Sequence, residues 1–161
     1  MANTINESTY KAALEYATKM HKGQYRIGGE EYITHPVAVA KKVKDLGYGL
    51  DYQITALFHD LLEDTQATEE EILRLSSPEV LEVVKILTKY EGYDMAEYVS
   101  NIRKNKMAFV VKSADRLHNL ECCYCTSPEF RKRYVAESAI WYGDFSDDIK
   151  KEIEKLKEFD R

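Results

Sequence analysis

The densest chemical stretch in the chain is Ala56-Leu57-Phe58-His59-Asp60-Leu61-Leu62-Glu63-Asp64-Thr65. Four residues separate His59 from Glu63 and Asp60 from Asp64, so one continuous helix would stack all four on a single side. An imidazole and carboxylates so placed are the makings of a metal site with acids beside it. The competing reading is the solvated side of an ordinary amphipathic helix, since Ile54, Leu57, Phe58 and Leu61 mark an apolar face opposite. Other residues have to decide between the two. His35 stands at a helix start in Thr34-His35-Pro36, and Asp115 follows the apolar run Phe109-Val110-Val111. Each puts a polar group where a helical bundle would have its interior.

A second constellation is weaker. His118, Cys122 and Cys125 fall at i, i+4 and i+7, a spacing that could gather a soft metal, but no fourth Cys or well-spaced His completes the set. Cys122, Cys123 and Cys125 crowd into four residues as an odd count, which makes no disulfide framework and suits a reducing compartment. The plain reading is thiols acting as small hydrophobes.

The elements that must position these groups read as helices. Tyr10, Ala13, Leu14, Ala17 and Met20 predict a first helix from about Ser8 to His21. Gly23, Gly28 and Gly29 then enclose Gln24-Tyr25-Arg26-Ile27, predicting a loop or short hairpin over 24–33 with Arg26 near its tip. Pro36 opens the second helix, Val39, Ala40, Val43 and Leu46 form its apolar face, and Gly47 or Gly49 stops it. A third helix is expected from Tyr52 to Asp64. Thr68 with Glu71 is a capping box for a short fourth, and Ser77-Pro78 caps a fifth carrying Val80, Val83, Val84 and Leu87. Further helices are expected from about Asp94 to Lys104, from Lys106, from Ser127-Pro128 through Tyr142, and from Ser146, the last burying Ile149, Ile153 and Leu156. The expectation is an all-α bundle of about eight helices, with at most a short hairpin near 24–33.

Composition fits that picture. The 161 residues suffice for one domain with a sizeable core, and 44% hydrophobic with 32% charged residues is ordinary for a globular chain. The longest apolar run is far short of a membrane span, and polar Asn3, Thr4, Asn6 and Glu7 form no signal peptide, so a cytoplasmic protein without a membrane partner is expected. A formal charge of −5 argues against general nucleic-acid binding, while leaving room for a local basic pocket for a small polyanion. Lys41-Lys42, Arg103-Lys104 and Arg131-Lys132-Arg133 read as exposed helix faces.

Three motifs in order then become specific: His35-Pro36-Val37-Ala38-Val39-Ala40, His59-Asp60-Leu61-Leu62-Glu63-Asp64-Thr65, and Lys112-Ser113-Ala114-Asp115-Arg116-Leu117-His118-Asn119. Together they resemble the HD-domain hydrolase half of RelA/SpoT-type alarmone enzymes, over about Ala12 to Tyr142, and the length resembles the stand-alone small alarmone hydrolases. The resemblance implies a single HD-domain helical bundle over 1–161. It implies His35, His59, Asp60 and Asp115 as ligands of Mn²⁺, with Fe²⁺ or Zn²⁺ able to take the same mixed nitrogen and oxygen donors. It implies Glu63 and Asp64 as catalytic acids that orient a water or move its proton. The implied reaction removes the 3′-pyrophosphate of (p)ppGpp, a small-molecule nucleotide, with Arg26 stacking on the purine, Asn119 near the ribose and Lys112 as a further substrate residue. Whether Lys112 faces phosphate or an internal carboxylate stays open at this point.

The departures fall in the substrate segments. Arg-Lys-Ser-Gly is usual where this chain has Arg26-Ile27-Gly28-Gly29, and Asn-Met-Arg-Thr where it has Asn119-Leu120-Glu121-Cys122. An HD phosphohydrolase of another nucleotide (an adenine alarmone, a nucleoside monophosphate or NADPH) is therefore the second expectation. A non-catalytic nucleotide-binding module is the third.

Overall fold

The structure, a computed structural model, describes residues 4–161; Asn3 lies outside them. Within them run ten α-helices: α1 (Glu7–Met20), α2 (Thr34–Asp45), α3 (Leu50–Phe58), α4 (Leu61–Asp64), α5 (Glu69–Leu75), α6 (Pro78–Leu87), α7 (Met95–Arg103), α8 (Lys106–Glu121), α9 (Pro128–Tyr142) and α10 (Asp147–Phe159). A single 3₁₀ turn, Cys123–Cys125, joins α8 to α9. The all-α class holds. The count exceeds about eight because every expected cap starts its own helix and the third expected helix is two.

The caps act as their chemistry dictates. Thr68, Ser77, Asp94, Asn105, Ser127 and Ser146 each accept a hydrogen bond from a main-chain N–H three residues on. In the Thr68 box the Glu71 carboxylate accepts from the Thr68 hydroxyl at 3.0 Å. Helix α2 starts at Thr34, so Pro36 occupies its third position. Gly47, at φ +94°, ends that helix in the left-handed region open to glycine.

The core surrounds α3, from Gln53 to Phe58 buried throughout, which packs against α1, α2, α6 and α8. Ile54, Leu57, Phe58 and Leu61 are fully buried, as are Val39, Val43, Val80, Val84, Ile149 and Leu156. Leu46 departs from its expected inward position and is 67% exposed, because α2 has already ended at Asp45 and Leu46 is its C-cap. Arg131 departs in the other direction. It is buried, with its guanidinium on the Asp160 carboxylate at 2.9 Å, clamping α9 to the end of α10.

The division between α3 and α4 corrects the expectation of one helix from Tyr52 to Asp64. Asp60 leaves the helical region at φ −118°, ψ 8°. At the break the Ala56 carbonyl, which Asp60 N–H would use in an unbroken helix, instead accepts from both the His59 ring Nδ1 at 2.6 Å and the His59 main-chain N–H at 3.5 Å. The expected hairpin shrinks to one antiparallel bridge, Tyr25 to Glu31, within a tight loop closed by Arg26 N–H on the Glu30 carbonyl at 2.8 Å.

Candidate metal centre

Three segments meet at one buried point. Helix α2 delivers His35 from its first turn, the α3–α4 break delivers His59 and Asp60, and the middle of α8 delivers Asp115. His35 Nε2 lies 2.7 Å and His59 Nε2 3.2 Å from Asp115 Oδ1, and the ligating atoms of these three residues all fall within 4.8 Å of one another. The outer ring nitrogens are already engaged. His59 Nδ1 donates to the Ala56 carbonyl, and His35 Nδ1 is 2.7 Å from His118 Nδ1. Rings oriented from behind, with Nε2 aimed at a shared point beside a carboxylate, fit a divalent cation.

Asp60 borders this set with other partners. The Tyr32 hydroxyl donates to its Oδ2 at 2.5 Å, His21 Nε2 is 3.3 Å from its Oδ1, and His59 Nε2 is 3.7 Å from its Oδ2. The His21 ring is aligned in turn by Gln24, 2.8 Å from its Nδ1, whose amide also donates to the Asp64 carbonyl.

The charges are strongly coupled. Burial alone would raise the Asp60 and Asp115 carboxyls, but His59, with hydrogen bonds from His21 and Tyr32, holds Asp60 below its ordinary range. Lys112, His59 and His35 hold Asp115 well below. Burial opposes charge on His59, yet Asp60 and Asp115 raise it to about 9, so a bound cation would take the place of a proton. Asp64 is pushed up to about 6, first by burial and then by the carboxylates of Asp60 and Glu63. Glu63 and Asp64 are exposed, and the Glu63 carboxylate is fixed by the Lys89 main-chain N–H at 2.7 Å.

The remaining expected residues divide. Arg26 and Asn119 are brought together across 93 positions, the guanidinium donating to Asn119 Oδ1 at 2.9 Å. They line a cavity of about 280 Å³ whose wall includes Tyr32, Cys122, Cys125 and Phe130. Lys112 turns inward instead, with Nζ on Asp115 Oδ2 at 3.1 Å. Glu121 binds Lys42 at 2.6 Å. His118, Cys122 and Cys125 form no metal-ligating cluster among the described residues, since the Cys125 thiol donates to the Cys122 carbonyl.

His21, Tyr32 and Lys89 also belong to the site, although nothing in the sequence around them marks it. A lone His at a helix end and a Tyr beyond a glycine loop carry no spacing signal, because only the folded loop brings them to Asp60.

Comparison with known proteins accords with this geometry. A bifunctional (p)ppGpp synthase/hydrolase, SpoT, of Escherichia coli K12 is 36% identical over 87% of this chain and 22% of its own length. A GTP pyrophosphokinase, rsh, of Brucella melitensis biotype 1 is 33% identical over 94% of this chain and again 22% of its own. The chain thus spans about a fifth of the curated relatives it matches. A solved structure of a metazoan ortholog of SpoT that hydrolyzes ppGpp superposes with a TM-score of 0.79 at 21% identity, covering 98% of both chains, and shares the fold. The HD domain family matches residues 13–143, which takes in all three motifs. With His35, His59, Asp60 and Asp115 in that span and gathered as described, the chain belongs to the HD domain family.

Proposed function

We propose that this protein is a metal-dependent hydrolase that removes the 3′-pyrophosphate of (p)ppGpp, giving GDP or GTP and pyrophosphate, with Mn²⁺ as the resident ion. The convergence of His35 Nε2, His59 Nε2 and Asp115 Oδ1 carries the reading. The relatives add support: one is named as a (p)ppGpp synthase/hydrolase, and the structural neighbour hydrolyzes ppGpp. Residues 1–161 act as a single domain. Asp60 would join His35, His59 and Asp115 as the fourth ligand, with His21 and Tyr32 beside it. Fe²⁺ and Zn²⁺ suit the same donors. When bound, the divalent ion supplies Lewis acidity that acidifies water and neutralises charge on the attacked phosphoryl group.

The chain's own residues do the rest. A bond forms from water oxygen to the phosphorus next to the ribose, the bond from that phosphorus to the 3′ oxygen breaks, and a proton ends on the 3′ oxygen. Asp64, with its carboxyl near 6, both takes and returns a proton close to neutral pH, and Glu63, held by the Lys89 N–H, orients the water. Arg26 and Asn119 frame the nucleoside cavity, the guanidinium against the purine and the amide against the ribose. A cavity of about 660 Å³ between α1 and the 22–33 loop is larger, but it contains neither Arg26 nor Asn119. Lys112 acts through Asp115, whose carboxylate it holds charged.

The test is product mass. Purified protein with Mn²⁺ and ppGpp should yield GDP and pyrophosphate in equal amounts, with turnover abolished by chelation and by Asp115→Asn. Orthophosphate alone, or binding without product in any metal, sinks the proposal. One observation favours the second reading, another nucleotide: Cys122 forms part of the cavity wall where the family has a hydroxyl, and Glu121, neutralised by Lys42, stands where it has a cation. Turnover confined to an adenine nucleotide in the same assay would establish it.

A further inference from the structure

Beside the metal centre runs a ladder of cations and aromatic rings in which the proposed chemistry gives the Lys89 ammonium no part. The Arg116 guanidinium lies 4.3 Å from the Tyr142 ring centroid, and the Lys112 ammonium lies 5.4 Å from the same centroid. Lys112 also faces Tyr98 at 5.8 Å, and Lys89 faces Tyr98 at 5.5 Å and Tyr93 at 5.6 Å. Two of these cations have carboxylate partners, Asp115 for Lys112 and Glu137 for Arg116. Lys89 has none among the described residues, although it is half-buried. A partly desolvated ammonium without a counter-ion is costly unless an anion visits it. Burial, followed by Lys112 and Arg116, lowers its pKa, and the more distant carboxylates of Glu137 and Glu63 only partly oppose them.

Its position identifies the anion. The main-chain N–H of Lys89 holds Glu63, and its ammonium shares the Tyr98 ring with Lys112, which in turn holds Asp115. Lys89 therefore adjoins a proposed catalytic acid through its main chain and stands one ring away from Lys112, the partner of a proposed metal ligand. It lies on the α6–α7 loop, away from Arg26 and Asn119 and outside the cavity they line. A ligand with its nucleoside in that cavity and its scissile phosphorus at the metal centre would carry its farther phosphate toward this loop.

We propose that Lys89 is the phosphate anchor of the site: its ammonium holds the terminal phosphate of the 3′-diphosphate and, after cleavage, the pyrophosphate product. This rests on the hydrolase reading for its substrate, but diphosphate binding is testable without turnover. The probe is inorganic pyrophosphate, titrated calorimetrically with Mn²⁺ into wild type, Lys89→Met and Lys89→Arg. A charge-assisted hydrogen bond predicts that Lys89→Met weakens pyrophosphate binding about ten-fold or more, while Lys89→Arg retains most of it. In turnover, Lys89→Met should raise KM for ppGpp more than it lowers kcat. Unchanged thermal midpoint and Mn²⁺ affinity in Lys89→Met would show that fold and metal centre are intact. Equal pyrophosphate affinity in wild type and Lys89→Met overturns the assignment, as does a well-folded Lys89→Arg that restores nothing. Lys89-dependent pyrophosphate binding in a protein that leaves ppGpp intact would retain the anchor and discard the hydrolase reading.

Discussion

Lys112 shows how one residue's environment decides its work. The resemblance counts the lysine among substrate residues and leaves phosphate and an internal carboxylate open as its partner; its ammonium is buried against Asp115, where burial works against the charge and Asp115 more than offsets it. Replacing it with Met leaves a buried carboxylate beside two histidines with its strongest partner gone. Lys112→Met should cost about 3–5 kcal/mol in chemical denaturation of the metal-free protein; a loss below 1 kcal/mol would contradict this pairing. Asp64 offers a test with opposite signs for activity and stability. Its folded carboxyl titrates near 6, above its ordinary 3.8, so it holds its proton more tightly in the native state. Its stabilising contribution is present below the unfolded value and lost as pH rises through 6. In chelator, Asp64→Asn should match wild type near pH 4 and gain on it in thermal midpoint toward pH 7. The wild-type rate should climb from pH 5 to 7 as the carboxylate forms, and the variant should lose both activity and that limb of the profile.

At the scale of elements, the α3–α4 break separates what was legible from what was not. Apolar spacing placed Ile54, Leu57, Phe58 and Leu61 in the core, and capping residues placed nearly every helix start, because both depend on neighbours a few positions away. His35, His59, Asp60 and Asp115 were readable as a set through motif order. The break itself was not, because it goes with the ring and main-chain N–H of one residue, His59, both bonding the Ala56 carbonyl. The roles of His21 and Tyr32 were hidden for another reason: they reach Asp60 through a loop whose path follows no periodicity. Helix α3 is the platform for the break, so a cavity beneath it should be felt as lost stability. Leu57→Ala should destabilise the fold by about 2–5 kcal/mol in urea unfolding. An intact metal stoichiometry at low temperature would separate that loss from damage to the ligands.

For the molecule as a whole, ion binding and folding are one equilibrium. The donors come from α2, the α3–α4 break and α8, and no isolated segment holds them together, so a cation that binds the native chain shifts unfolding by mass action. At an Mn²⁺ concentration 100 times its Kd the gain is about 2.7 kcal/mol, which chelation should remove as a lowered midpoint in calorimetry. A midpoint indifferent to both Mn²⁺ and chelator would rule out a tight native site. The 80 positions between His35 and Asp115 also set an order in time. While the chain is being synthesised, His35, His59 and Asp60 leave the ribosome long before α8, so a nascent chain offers incoming ions an incomplete set of donors. The complete donor set thus exists only once α8 has docked, so the full metal centre is among the last parts of the fold to be made.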